Sequence, residues 1–185
     1  MAWIEIIDEK HAKGDLKDAY DHVEGKRGKI SNIMRIHSLN PEAMKDHLDL
    51  YISVMFSNSG LSRADRELLA IIVSRVNGCD YCVNHHSEAL YHHWKDRGRV
   101  DLAKKDFRSL DLSERIFRML EYGEKLTKDP KLVGKEDVER LRDVGFSDRN
   151  ILNINLIVSY FNFVNRISSG LGVDYTSEEM TGYRY

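Results

Sequence analysis

Residues 62–95 read SRADRELLAIIVSRVNGCDYCVNHHSEALYHHWK, and this stretch decides both the fold class and the chemistry that the sequence predicts. Its first half places apolar residues at helical spacing after Ser62, a residue type favoured at helix N-caps. An Asn-Gly pair, which favours a turn, then interrupts the pattern. A second helical segment follows at once and carries both cysteines of the chain. We therefore predict two helices, over 62–77 and 79–95, that meet at Asn77-Gly78.

Helical patterns continue outward from this stretch in both directions, and the 185-residue chain contains only two prolines. Both features are typical of an all-α protein. Residues 1–14 are the exception and are predicted to form an N-terminal arm. We expect one domain over residues 1–185, a length that can bury a substantial core. The remaining predicted helices lie at 15–24, 41–57, 99–107, 113–128, 135–143 and 147–169.

The sequence also contains a faint internal repeat, in which residues 65–69 (DRELL) resemble residues 148–152 (DRNIL). Carried forward without gaps, the alignment keeps the apolar register. It replaces every candidate reactive residue: Glu67 by Asn150, Cys79 by Asn162, Cys82 by Asn165 and His86 by Ser169. A chance similarity between two amphipathic helices is the alternative. If the repeat is genuine, only its first copy carries chemistry.

The composition argues against several classes of function. Hydrophobic residues make up 42% and charged residues 31% of the chain, and the net charge of −2 gives no general case for binding nucleic acid or an anionic membrane. No apolar run is long enough to span a bilayer, and the acidic start does not fit a secretory signal. We expect a cytoplasmic protein, in which a CxxC pair is more often catalytic or metal-binding than structural.

Four residues form the candidate catalytic site: Glu67, Cys79, Cys82 and His86. On a helix, Cys82 and His86 are about 40° apart and Cys79 is about 60° to the other side, so the three groups can crowd together. A helix N-terminus and a nearby imidazolium both favour a thiolate, and a buried Glu67 would orient His86. A thiolate attacks a peroxide to give a sulfenic acid, which a second thiol captures as a disulfide. The pattern predicts redox chemistry.

A zinc site is an alternative use of the same residues. A closed tetrahedral site needs four ligands, whereas Cys79, Cys82 and His86 supply three. His85 points about 100° away from His86 on a helix and is a poor fourth ligand. We therefore expect no metal and no other bound cofactor. Glu67 taken alone is typical of a solvated first-turn acid, but the CxxCxxxH pattern beyond it favours a catalytic role.

The spacing E-x11-C-x2-C-x3-H of these four residues resembles the signature of the alkyl hydroperoxidase D-like proteins, within the carboxymuconolactone decarboxylase superfamily. Residues 33–41 (IMRIHSLNP) and 159–166 (SYFNFVNR) resemble the branch of that superfamily called peroxidase-related. The resemblance covers most of the chain, from about residue 16 to residue 173.

The resemblance implies an all-helical, alkyl hydroperoxidase D-like fold with a degenerate duplicated helical hairpin, assembled as a dimer, trimer or hexamer. It implies that Cys82 attacks the peroxide, that Cys79 is its proton donor and resolving partner, and that Glu67 and His86 form a proton relay. Inside the CxxC the chain departs from the best-known members, with Asp80-Tyr81 in place of Ser-His. The decarboxylation that names the superfamily does not use a CxxC and is not expected.

The sequence therefore predicts a peroxidase-type antioxidant oxidoreductase that cycles through a Cys79–Cys82 disulfide. Its partners would be a hydroperoxide, an external thiol or disulfide reductase as electron donor, and further copies of itself. Two alternatives stay open: a thiol–disulfide exchange or redox-sensing protein, and a helical assembly module whose CxxC is vestigial or binds a metal. Tyr81 is predicted to be a packing residue, and His85 a surface or partner-facing one.

Overall fold

The computed structural model describes residues 2–176 and 178–183, and helix is the only regular structure in that part of the chain. The all-α prediction is confirmed. The helices are α1 Asp15–Arg27, α2 Asn32–Arg35, α3 Pro41–Phe56, α4 Arg63–Val76, α5 Asp80–Trp94, α6 Arg97–Lys105, α7 Glu114–Lys128, α8 Lys135–Asp143 and α9 Asp148–Leu171. Short 3-10 turns occupy Phe107–Ser109 and Pro130–Leu132. Only α2 was not predicted, because a single helical turn is too short to show a period.

Helices α3 and α4 begin where the local sequence signals place them, whereas α6 begins two residues before its predicted start at residue 99. The Asn40 side chain accepts a hydrogen bond from the backbone N–H of Ala43 at the start of α3. Ser62 and Asp65 form a reciprocal capping box at the start of α4. These contacts satisfy backbone donors that the first helical turn otherwise leaves unpaired. The N-terminal boundary of α4 is therefore set only a few residues before Glu67.

The turn between α4 and α5 lies at Asn77-Gly78, as predicted. Gly78 has a φ of 67°, a conformation that costs glycine little and other residues more. The Asn77 amide donates hydrogen bonds to the side-chain oxygens of Asn162 and Asn165 on α9. The turn that carries the CxxC is thus attached to the last helix, which holds it at a fixed position.

Helix α4 lies at the centre of the fold and packs against α5, α7 and α9. Its apolar side chains, including Leu68, Leu69, Ile71 and Val73, are almost completely buried. Helix α7 comes close at Gly123, where an added Cβ would lie only 2.6 Å from a methyl carbon of Leu69. Because α4 is enclosed in this way, a charged residue on it is held inside the protein and needs partners there.

The second copy of the repeat has no break. At the positions of Asn77 and Gly78 it has Tyr160 and Phe161, and α9 runs on through them for 24 residues. The physical reason is the absence of an Asn-Gly turn. The segment aligned as the second copy is therefore one continuous helix and not a hairpin, and α9 supplies one long surface against which both α4 and α5 pack.

The N-terminal arm is non-helical over its described residues, 2–14, and is held against the helices. The backbone N–H of Trp3 donates to the carbonyl of Leu171, and that of Ile7 donates to the Ser38 hydroxyl, both at 3.0 Å. Residue 1 lies outside the described part. Across the described ranges, we find no helix with the length and apolar character needed to traverse a bilayer.

Candidate active site

The two cysteines lie at the first turn of α5. Cys79 is the N-cap residue and Cys82 is the third residue of the helix. Their sulfurs are 2.8 Å apart, a hydrogen-bonded contact longer than the roughly 2.05 Å of a disulfide bond. Both are free thiols and both are buried. The structure therefore shows a reduced pair whose sulfurs are already in contact.

The surroundings of Cys79 stabilise its thiolate. The hydrogen bond from Cys82 is the main reason that its pKa is lowered to about 6. Burial acts in the opposite direction, but the hydroxyls of Ser168 and Ser169 and the backbone N–H of Cys82 also favour the anion. A sulfur at the N-terminal end of a helix gains further from the helix dipole.

The Cys82 thiol, in contrast, resists ionisation. Its hydrogen bond to Cys79, its burial and the charge of a Cys79 thiolate together raise its pKa well above the ordinary value, although Asn165 and Ser168 partly offset this effect. Two thiols in contact titrate as a pair, so the first proton leaves the pair and the charge rests mainly on Cys79. Peroxide attack by Cys82 and its resolution by Cys79 stay predictions. A mechanism also has to account for a negative charge that rests mainly on Cys79.

Glu67 and His86 are brought together as the sequence predicted. The Glu67 carboxylate has no solvent exposure, and its Oε2 lies 2.6 Å from Nδ1 of His86. Its Oε1 accepts a hydrogen bond from Nε of Arg63 at 2.8 Å. Burial opposes ionisation of this carboxyl more strongly than any other single influence, but His86 and Arg63 together lower its pKa below the ordinary value. The carboxylate is therefore an anion that holds the imidazole in place.

Arg63 was not identified from the sequence as part of this group. It lies one helical turn before Glu67, and its guanidinium also packs 3.7 Å from the centre of the Phe56 ring. The sequence does contain a signal for this ion pair, because Arg63 and Glu67 are four residues apart and side chains at that spacing on a helix lie side by side.

A pocket opens next to Cys82. Its space, counted out to its open mouth, is about 690 Å³. Apolar side chains of several helices form much of the wall, among them Ile33, Met34, Leu48, Phe161 and Val164. Cys82, His86 and Tyr160 also line it, and Arg27 and Lys29 lie around it. Within the described residues no hydrogen bond joins His86 to either sulfur, so proton transfer between His86 and Cys82 needs a bridging water or substrate.

Cys79 lines a different cleft. That cleft is more polar and includes Ser168, Ser169, Asp174 and Tyr175. Tyr81 is shared by the walls of this cleft and of the apolar pocket, whereas each cysteine lines only one of them. The two sulfurs can therefore be approached from two sides, and only the Cys82 side shares its wall with His86.

The described part of the chain contains no group of three or more His, Cys, Asp or Glu side chains arranged to hold a metal ion. Cys79, Cys82 and His86 therefore do not form such a group. Their arrangement is that of a thiol pair with an acid–base pair behind it.

Comparison with known proteins places this site in a family. The carboxymuconolactone decarboxylase family matches residues 41–104, a segment that includes Glu67, Cys79, Cys82 and His86. The chain carries a carboxymuconolactone decarboxylase family domain. The resemblance stated from the four-residue spacing is confirmed at this level.

Solved structures similar to this chain support the fold. A peroxidase-related protein from Ralstonia eutropha JMP134, described as an alkylhydroperoxidase AhpD core, matches 97% of this chain and 94% of its own, with a TM-score of 0.86 and 23% identity. A peroxidase-related protein from Silicibacter sp. TM1040 matches 95% of this chain and 93% of its own, with a TM-score of 0.83 and 26% identity.

A sequence relative of the chain is the uncharacterised protein YdfG of Bacillus subtilis (strain 168). It is 27% identical over 144 residues, which span 77% of this chain and 96% of YdfG. The match extends beyond the family segment, so the similarity is not confined to the residues around the cysteines.

Tyr81 does more in this protein than pack. Its hydroxyl donates to the Glu179 carboxylate at 2.9 Å and accepts from the backbone N–H of Ile33 at 3.1 Å. The same carboxylate lies 2.5 Å from Nε2 of His85. His85 is therefore partly buried and faces the C-terminal segment. The sequence does not reveal this cluster because Glu179 is 98 residues from Tyr81 and no local motif joins them.

Proposed function

We propose that this protein is a peroxidase-type oxidoreductase that reduces hydroperoxides through a reversible Cys79–Cys82 disulfide. One observation carries the proposal. Two free thiols are in contact at a helix N-terminus, and one of them opens onto an apolar pocket that also contains the Glu67-held imidazole of His86. The likeness to peroxidase-related proteins supports the same reaction class.

The first step would use Cys82, because its sulfur lines the pocket with His86. Cys79 thiolate takes the Cys82 proton across their hydrogen bond and so acts as a base. The Cys82 sulfur attacks the terminal oxygen of ROOH, a sulfur–oxygen bond forms and the O–O bond breaks. The sulfur is oxidised to a sulfenic acid and the peroxide is reduced to an alkoxide. His86 relays the proton that Cys79 took: its Nε2 accepts it from the thiol pair through a bridging water and donates it to the alkoxide, which leaves as ROH, and Cys79 is again a thiolate.

The second step closes the disulfide. The Cys79 thiolate attacks the Cys82 sulfenic acid, the sulfur–sulfur bond forms as the sulfur–oxygen bond breaks, and the leaving hydroxide takes a proton from solvent to become water. The 2.8 Å contact means that little motion is needed for this step. An external dithiol then donates two electrons, becomes a disulfide and restores both thiols. The polar cleft on the Cys79 side provides an approach to the disulfide that does not pass through the apolar pocket.

The pocket wall points to an organic hydroperoxide. Leu48, Phe161 and Val164 offer apolar surface that hydrogen peroxide does not use. Burying an apolar substituent contributes about 25 cal/mol per Å² to binding, before the costs of association. The decisive experiment is stopped-flow oxidation of the reduced protein by hydrogen peroxide and by an organic hydroperoxide. We expect a saturable, Cys82-dependent reaction that is faster with the organic substrate. No Cys82-dependent oxidation by either peroxide would refute the proposal.

The lowered pKa of Cys79 favours a second candidate function, thiol–disulfide exchange. A thiol with a pKa close to the ambient pH is the best attacking group in such exchange. Turnover with a protein disulfide in the absence of peroxide distinguishes the two functions. Fast exchange together with slow peroxide reduction would favour a redox-sensing or electron-passing protein.

A further inference from the structure

A chain of hydrogen-bonding groups leads away from the wall of the Cys82 pocket, and the reaction above does not use it. Tyr160 lines the pocket, and its hydroxyl lies 2.8 Å from Nε2 of His47. Nδ1 of His47 lies 3.2 Å from Nε2 of His37. Nδ1 of His37 lies 2.9 Å from the carbonyl oxygen of Ile33. His47 is buried behind Tyr160, and His37 is half-buried beyond it.

The far end of the chain fixes the direction of its first hydrogen bond. A carbonyl oxygen can only accept, so Nδ1 of His37 carries a hydrogen and donates it to Ile33. Burial lowers the pKa of His37, with the Ile33 carbonyl acting in the opposite direction. The imidazole is therefore neutral, and its Nε2 has no hydrogen and must accept.

The directions of the remaining hydrogen bonds follow from this one as far as the pocket. Because Nε2 of His37 accepts, Nδ1 of His47 is the donor in the contact between them. Burial, with a smaller contribution from His37, lowers the pKa of His47 to about 3, so this imidazole is neutral as well. Its Nε2 accepts, and the hydrogen in that last contact comes from the Tyr160 hydroxyl. The only hydroxyl hydrogen of Tyr160 is committed to His47.

We propose that the Tyr160 oxygen is a dedicated hydrogen-bond acceptor in the pocket, and that the pocket selects apolar molecules carrying an O–H group. A tyrosine hydroxyl that can rotate serves donors and acceptors alike. Here the donor is used behind the wall, so only lone pairs face the ligand. His47 and His37 act as positioning residues, because they reach the ligand only through Tyr160.

This inference rests on the proposed function for its biological meaning, since a hydroperoxide is an O–H group on an apolar body. The terminal O–H would donate to Tyr160 while the substituent packs against Phe161 and Val164. The terminal oxygen is the atom that Cys82 attacks, so Tyr160 would hold the reacting end of the substrate. An alcohol product keeps an O–H group and would still bind there, whereas a ketone or ether would not use this contact.

Binding of three unreactive probes to the reduced protein tests the inference. Phenol donates a hydrogen bond, toluene has a similar shape without a donor, and acetophenone only accepts. Dissociation constants come from ligand-detected NMR titrations. In Tyr160→Phe we expect phenol to bind about threefold to tenfold more weakly, the loss of one net hydrogen bond, and toluene to be unchanged. In His47→Leu the Tyr160 hydroxyl is released to donate, so the preference for phenol over acetophenone should fall.

Tyr122→Phe is the matched control. Tyr122 is a buried tyrosine outside the pocket whose hydroxyl accepts one hydrogen bond from Asn155. Its removal should leave binding of all three probes unchanged. Equal weakening of phenol and toluene in Tyr160→Phe, or no weakening of phenol, overturns the inference. If Tyr160→Phe does not fold, His47→Leu decides, and an unchanged ratio of phenol to acetophenone affinity overturns it.

The outcome is separable from that of the peroxidase proposal, because none of the probes oxidises a thiol. Selective phenol binding without peroxide reduction would support the Tyr160 acceptor and refute the peroxidase. Peroxide reduction with no probe discrimination would refute the acceptor alone.

Discussion

The Glu67 carboxylate and Nδ1 of His86 lie 2.6 Å apart, with the carboxylate completely buried. Because an ionised carboxylate only accepts, Nδ1 carries a hydrogen that points at Glu67. Nε2 is then the nitrogen available to the pocket. The pair fixes both the ring orientation and the proton position of His86, as a buried carboxylate does for a catalytic histidine in other folds.

Removing the charge of Glu67 should therefore slow thiol oxidation. We expect Glu67→Gln to lower the rate at neutral pH by about a hundredfold to ten-thousandfold, the usual contribution of general acid–base assistance. His86→Ala should give a deficit of similar size. Both deficits should shrink at high pH, where hydroxide deprotonates the thiol pair without help. Stopped-flow oxidation across a pH series measures this, with circular dichroism to verify the fold.

Glu124→Gln is the matched control for Glu67→Gln. Glu124 is also buried and pairs with Arg108 and Lys128, but it lies outside the pocket. Glu124→Gln should lower the free energy of unfolding but should not cause a pH-dependent loss of the thiol oxidation rate. If Glu67→Gln is equally slow at every pH, or unfolds, the pair holds the helices together and does not activate the thiols.

The two cysteines should differ in their products. In Cys79→Ser, peroxide should leave a dimedone-trappable sulfenic acid on Cys82 and no disulfide, because the resolving thiol is gone. In Cys82→Ser, rapid oxidation should disappear, since Cys79 lines the other cleft. Mass spectrometry after dimedone treatment reads both outcomes. The reverse pattern would assign peroxide attack to Cys79, the sulfur that carries most of the charge.

Thiolate absorbance should rise in two well-separated steps in the reduced protein. The first, near pH 6, corresponds to one thiolate held mainly on Cys79, and the second lies well above the ordinary thiol pKa. Cys82→Ser keeps a hydrogen-bond donor, a hydroxyl, beside Cys79, so one step below the ordinary thiol pKa should remain. Cys79→Ser should remove the step near pH 6 altogether. A single step of two thiolates near the ordinary pKa would show that the sulfurs do not interact.

The same shift makes stability depend on pH. The folded-state pKa of Cys79, about 6, lies below the unfolded value of roughly 8.5. Between these values the unfolded chain binds more protons, so stability rises with pH and is lost as pH falls through 6. Chemical denaturation measures the free energy of unfolding at each pH. Between pH 6 and roughly 8.5 it should rise more steeply with pH in the reduced wild-type protein than in Cys79→Ser. Parallel curves would contradict the assignment.

Much of this molecule was predictable because its signals are local. Caps at Asn40 and Ser62, the turn at Gly78 and the spacing from Glu67 to His86 each involve residues close in sequence or one helix apart. Helical period then places Glu67 on the enclosed helix. Local rules of capping, turn formation and periodicity are sufficient to predict these features.

The remaining parts of the site depend on residues brought together only by folding. Tyr160 meets His47 across 113 positions, and Glu179 meets Tyr81 across 98. No period or motif links such pairs. The same holds for the charge on the thiols, which depends on Ser168 of α9 as well as on the CxxC itself.

Assembly remains a prediction, and α9 provides a place to test it. Leu152, Leu156 and Phe163 are exposed, and at 100° per residue they fall within about 40° of one another on the helix. An apolar stripe of this kind marks a protein-interaction surface more often than a solvated face. We expect at least a dimer in analytical ultracentrifugation at micromolar concentration, and Leu156→Glu should shift the protein toward monomer with its helix content unchanged. Leu132→Glu, a change at a more exposed leucine in the 3-10 turn at Pro130–Leu132, should not. A wild-type monomer would contradict assembly itself, and equal effects of the two variants would place the interface elsewhere than on α9.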